Sequence, residues 1–179
     1  MLRSKKYIPR AILITAVACS FANAAQAETF SADINIAEVL LTNPLSKTCP
    51  LRGVSTGSGT SSAFPNTTTE VVASDCVTTD PSGQKAFFQS SNGRMVLAAA
   101  DGSGTIIATY QAIFYFANPE TATTFRYNMA AGGTYKIIGG TGRYARASGA
   151  GTLSGYEIVN INPALPAQGK IVASGTIAY

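Results

Sequence analysis

Histidine is absent from this 179-residue chain, and so is tryptophan. Charge is sparse, at 12% of residues, and cysteine occurs three times. Each shortage excludes something. Without histidine there is no Ser-His-Asp or Cys-His nucleophile. Histidine-ligated zinc and copper sites are excluded as well. Acidic residues are scattered, with no calcium-loop spacing, so the sequence points to no metal and no cofactor. For the same reason it does not suggest paired-carboxylate hydrolysis. No apolar run reaches the ~20 residues of a membrane-spanning helix, and no stretch after residue 30 reads as an amphipathic helix.

What is present begins with an export signal. Arg3, Lys5, Lys6 and Arg10 form a basic opening, and Ala11–Ala18 is a short apolar segment. Ala25-Gln26-Ala27 supplies the small residues read by a signal peptidase. The sequence thus divides into a signal peptide, 1–27, and one domain, 28–179. A periplasmic or secreted location follows, with no membrane span after cleavage. Cys19 sits in a loose lipobox context, but plain cleavage is the favoured reading. The whole chain carries 13 basic and 9 acidic residues. Cleavage removes four basic residues and no acidic ones, leaving a net charge of zero. That removes the basis for a nucleic-acid partner. It also removes Cys19, leaving Cys49 and Cys76 as an even pair in an oxidising compartment.

The domain reads as all-β. Gly, Thr, Ser and β-branched residues dominate, and turn clusters recur roughly every 8 to 20 residues, which favours a sandwich or barrel over βαβ units. Strands are predicted over 30–41, 52–60, 69–77, 84–89, 94–100, 105–116, 123–129, 134–138, 152–161 and 170–178. Together they would close a small antiparallel barrel of about eight strands. Ser90-Ser91-Asn92-Gly93 reads as a turn. If residues 57 and 68 pair, 49 falls opposite 76, which places a Cys49–Cys76 disulfide at the open end of a hairpin. Thr105–Phe116 is the most apolar run, and both of its faces read as largely buried.

Gly139-Gly140-Thr141-Gly142-Arg143-Tyr144-Ala145 follows a strand and mimics a dinucleotide fingerprint. That mechanism needs a helix with its N-terminus at the pyrophosphate. Ser148-Gly149-Ala150-Gly151 ends any helix within about two turns, so the segment reads as a glycine turn linking two strands.

The same segment, Ile138–Gly151, resembles the I-x-G-G-T-G-R-F-A-G-A-T-G-x-G run of the allene-oxide-cyclase-like barrel proteins. That family includes plant dirigent proteins and exported bacterial proteins. Leu97–Thr105 and Arg52–Thr60 resemble two further family segments. The resemblance implies an eight-stranded antiparallel barrel with an apolar cavity, often in a homo-oligomer. It also implies binding of a hydrophobic small molecule, with dirigent-like or cofactor-free isomerase or cyclase action. Ala145, Arg146 and Ser103 depart from the family pattern, so the fold transfers further than any activity.

Candidate ligand-binding residues are Tyr110, Phe114, Phe116, Arg126, Tyr127, Arg143 and Glu157. The aromatics suit a cavity wall. Arg126 alternates with Phe125 and Tyr127; it either lines a cavity or is solvated. Arg143 lies in the glycine turn, where hydrogen bonds to nearby carbonyls are the simpler role. Glu157 shares a face with Leu153, Val159 and Ile161. Facing inward, it would be an acid or base with a raised pKa; facing outward, the reading that burial statistics favour, it is a surface charge. No catalytic residue is assigned. Two other functions compete: a non-enzymatic structural or interaction protein of the cell envelope, and an outer-membrane barrel suggested by the alternating aromatic terminus Ser174–Tyr179.

Overall fold

The computed structural model describes residues 26–43 and 46–179. Most of the segment expected to be an export signal, with Cys19, lies outside the described residues. Strand alternation is plainest at the start. In β1 (Glu28–Thr42), Phe30, Ala32, Ile34, Ile36 and Glu38 are buried, and Ser31, Asp33 and Asn35 between them are exposed. A period of two puts one face on a core and the other in water. The same logic builds β2 (Leu51–Ser61), β3 (Thr69–Thr79), β4 (Phe87–Ala99), β5 (Thr105–Pro119), β6 (Thr124–Met129), β7 (Gly133–Gly140), β8 (Ser148–Asn160) and β9 (Ala167–Ala178).

These strands form the closed all-β antiparallel barrel expected from the sequence. Each of β1 to β5 pairs with the next, β8 pairs with β9, and β9 returns to β1. β6 and β7 share one position: both pair with β5 on one side and β8 on the other. The nine strands therefore occupy eight positions around the barrel. Residues 130–132 break what would otherwise be one long strand.

The interior is filled along most of its length by apolar side chains from every strand position except β2, whose inward residues are glycines and serines. Phe30, Ile106, Ile137 and Ile177 are almost wholly enclosed, each contributing about 1.5–3 kcal/mol by burial. The outer wall carries exposed Asp33, Glu70, Arg94 and Lys136. Charged residues outside and apolar ones inside are the reverse of the pattern in a lipid-spanning barrel.

One end is plugged. The glycine turn after β7 forms a single 3-10 turn, Gly142–Tyr144, with Gly142 at φ +61°, where glycine carries no steric cost. The Tyr144 ring is buried and meets Phe64 edge-on at 5.3 Å. Its hydroxyl donates to the Ala63 carbonyl, and Tyr179 packs on its other side at 4.8 Å. The loops at residues 80–86, 120–123 and 161–166 gather at the opposite end, which is open.

Cys49 and Cys76 are disulfide-bonded, with Cα atoms 5.3 Å apart. The pairing register differs from the expected one. Gly57 faces Val71 rather than residue 68, and Arg52 faces Cys76. Cys49 thus lies before β2, and the bond ties that lead-in segment to the outer side of β3.

Two other expectations need correction. Residues 84–89 and 94–100 are not two strands joined by a turn. They belong to one strand, β4, interrupted by a bulge. Pairing with both β3 and β5 slips between Ser90 and Arg94, and Asn92 takes a φ of +52°. An Asn-Gly pair suits positive φ in a bulge as well as in a turn. In β5 only the even face is core; Tyr115 on the odd face is half exposed.

Candidate functional site

Three carboxyl groups far apart in the chain meet inside the barrel near its open end. Glu38 is 6% exposed, Asp75 6% and Glu157 4%. Each is in phase with its strand's core residues: Glu38 follows Ile34 and Ile36, Asp75 lies between Ala73 and Val77, and Glu157 follows Leu153. Glu157 therefore faces inward, not outward as burial statistics favoured. The acidic residues are scattered in sequence but not in space.

Glycine makes the room. A Cβ on Gly53 would fall 2.2 Å from Asp75 Oδ1 and 2.7 Å from Glu38 Oε1. Two of the carboxyls thus converge over one bare backbone position. Two strands along, on β4, a Cβ on Gly93 would lie 2.6 Å from the Tyr110 ring. The β4 bulge makes this arrangement. It switches the inward face from Phe88 and Ser90 to Gly93, Met95 and Leu97, so Ser90 and Gly93 both point in.

The polar partners are few. Ser55 Oγ donates to Glu38 Oε2 at 2.8 Å. The Ser90 and Tyr110 hydroxyls act on Asp75, yet Asp75 Oδ1 is buried with no hydrogen-bond partner. No lysine or arginine pairs with the cluster among the described residues, whose two ion pairs are Arg126–Glu120 and Lys170–Asp33. Burial without a counter-charge favours the neutral acid. It pushes Glu38 up to about 7, with the nearby Asp75 adding to the effect and the Ser55 hydrogen bond opposing it. Burial raises Asp75 too. Glu157 stands well above the usual carboxylate range, through burial first and then Glu38 and Asp75. Burial also raises Tyr110, helped by the neighbouring acids.

The cluster divides two spaces. Below it lies a chamber of about 70 Å³ with apolar walls including Ile36, Met95, Leu97 and Ile171. Above it the open end forms a cup of about 460 Å³, walled by Phe87, Phe88, Phe125, Tyr127 and Val159. Glu38 and Glu157 line both, so they are the cup's floor and the chamber's roof. Phe88 stacks on Phe114 at 4.6 Å and meets Tyr127 at 5.2 Å. The Tyr127 hydroxyl donates to the Lys85 carbonyl at 3.0 Å, pinning the 80–86 loop over the cup's edge. Asp80 and Lys85 also line this edge.

The sequence candidates fall into three groups. Tyr110, Tyr127 and Glu157 line the two spaces, and Phe114 backs the aromatic wall. Phe116 is exposed at the rim, 5.8 Å from Tyr127. Arg126 and Arg143 lie elsewhere. Arg126 is on the outer wall, paired with Glu120 at 3.3 Å and lying 3.7 Å over the Tyr156 ring. Arg143 is at the plugged end, donating to the Ala63 carbonyl at 2.8 Å. Sequence reasoning missed Glu38 and Asp75. The signal was there in the alternation: both stand in phase with runs of inward apolar residues.

Among the described residues, no group of acids is arranged to hold a metal ion. Comparison of the chain with models of known families, with curated proteins and with solved structures gives no match.

Proposed function

We propose that this is an exported barrel protein that binds a hydrophobic small molecule in the cup, with Glu38 and Glu157 presented to it from below. The observation that carries this reading is the pair of buried, uncompensated carboxyls at the base of an aromatic-walled opening. Ligand sites of roughly 300–1,000 Å³ with apolar walls and a few convergent polar groups are the usual form, and the cup fits. Carboxyls whose pKa values are raised towards neutrality can donate or accept a proton there. Dirigent-like or isomerase-like action on the bound molecule is consistent with that chemistry. A relationship to the allene-oxide-cyclase-like barrels is supported by the closed eight-position architecture and by the place of the Gly139–Gly142 turn at the plugged end. Export is supported by the disulfide, which oxidising compartments favour.

The test is native mass spectrometry of protein purified from its own compartment without detergent. The expected result is a co-purifying small molecule that is lost from a Phe88→Ala/Tyr127→Ala variant. A bare polypeptide mass, together with no shift of cup-residue NMR signals on adding apolar compounds, would overturn the reading. A second reading, an interaction protein of the envelope, is favoured by one observation. Leu40, Leu41, Tyr115, Phe116, Ile161 and Leu165 are exposed around the open end, where an apolar crown suits contact with another surface.

A further inference from the structure

We infer that the ligand of this site is an amphipathic organic cation, with an ammonium head between Glu38 and Glu157 and an apolar body in the cup. The inference rests on the small-molecule reading above and specifies the ligand class. Three observations carry it. The first is the cluster's composition: three carboxyls, two of them converging over Gly53, with no positive side chain among them. The second is independent of the count of acids. Asp75 is 94% buried, lines the inner chamber, and its Oδ1 accepts no hydrogen bond. A buried acceptor left without a donor is costly, and a donor-rich head removes that cost. An ammonium group offers three donors and accepts none.

The third observation is the division of space. The chamber, about 70 Å³, is too small for a ligand body, whereas the cup, about 460 Å³, is not. The body therefore stays outside the floor and the head points inward. The cup's aromatic rings also suit a cation in passage, since ring faces attract positive charge. The apolar walls select an organic cation over a hydrated metal ion, and no metal-holding arrangement of acids is found among the described residues. The groups that face the head are Glu38 from β1, Asp75 from β3, Tyr110 from β5 and Glu157 from β8. Asp80, Lys85 and Tyr127 face the body.

Binding is linked to proton release. A neutral carboxyl that receives an ammonium ion gives its proton to solvent and remains as carboxylate. Affinity for a cation therefore rises with pH while the ammonium stays charged. The probes are octylammonium, 1-octanol and octanoate, which share a body and differ in head charge. Isothermal titration of the full mature protein should show octylammonium binding at least tenfold more tightly than octanol at pH 8. That preference should shrink towards pH 5. Repeating the titration in buffers of different ionisation enthalpy should reveal protons released. Glu38→Gln/Glu157→Gln should lose the preference for octylammonium and keep octanol binding, which shows that the cup is intact. Equal binding of octylammonium and octanol, or a preference for octanoate, would overturn the cation and leave the small-molecule reading standing. Failure of all three probes to bind would count against both.

Discussion

Glu157 shows what a single inward residue does. Below the unfolded carboxyl pKa, near 4.5, the group is protonated in both states and has no effect on stability. Above it, the unfolded chain ionises and the folded one does not, so stability falls as pH rises. Glu157→Gln should therefore stabilise the protein at pH 8 by roughly 1–3 kcal/mol and change little at pH 4. Urea denaturation at the two pH values checks this; a loss at pH 8 would mean that the carboxylate is solvated or paired. Gly53 makes the converse point. Gly53→Ala puts a methyl group into the two carboxyls above it and should cost about 1–3 kcal/mol as they are forced apart, measured by the same denaturation. Residues at this scale were half legible. Burial statistics argue against an inward Glu when each is weighed singly. Only the phase of Glu38 with Ile34 and Ile36, or of Asp75 with Ala73 and Val77, argues the other way. The convergence of three strands cannot be read from any one of them.

At the scale of elements, β4 carries the most consequence. Its bulge reverses which face points inward, and so supplies both Phe88 to the cup and Gly93 to the space under Tyr110. Deleting Asn92 removes the extra residue, and a one-residue slip turns side chains to the opposite face. The expected outcome is a destabilised barrel with lost near-ultraviolet dichroism from the Phe88–Phe114–Tyr127 cluster. A native-like spectrum would show that the bulge is dispensable. Asn92-Gly93 was read from sequence as a hairpin turn because the same dipeptide satisfies both geometries. The β2–β3 register was misjudged for a related reason: the loop between those strands had no signal strong enough to fix its length. The Cys49–Cys76 bond survived that error because Cys49 lies before β2, outside the ladder. It closes a 27-residue separation, so reduction should destabilise the fold by about 3–4 kcal/mol in the loop-entropy model. Guanidinium unfolding with and without dithiothreitol measures it.

For the whole molecule, the barrel is one plugged and one open end with an acidic floor between. The plug of Phe64, Tyr144 and Tyr179 and the continuous core below the floor give it stability. The floor has its carboxyls poised, and no lysine or arginine among the described residues pairs with them. The all-β class and most strand positions were legible, because alternation and turn chemistry are local. The closure of β9 on β1, the sharing of one position by β6 and β7, and the two-chamber interior depend on long-range pairing. Raised carboxyl pKa values should make the protein more stable in mild acid than at neutrality. For Glu38 alone, the rise from 4.5 to about 7 is worth roughly 3 kcal/mol, lost progressively between those pH values. The most direct test of the acidic floor is a carbon-detected NMR titration of the side-chain carboxyls in the full protein. The account predicts that Glu38 titrates near 7 and Glu157 well above the usual carboxylate range, while exposed Asp80 and Asp101 titrate below theirs. Ordinary carboxylate values for Glu38 and Glu157 would contradict it, because they would place both groups in water.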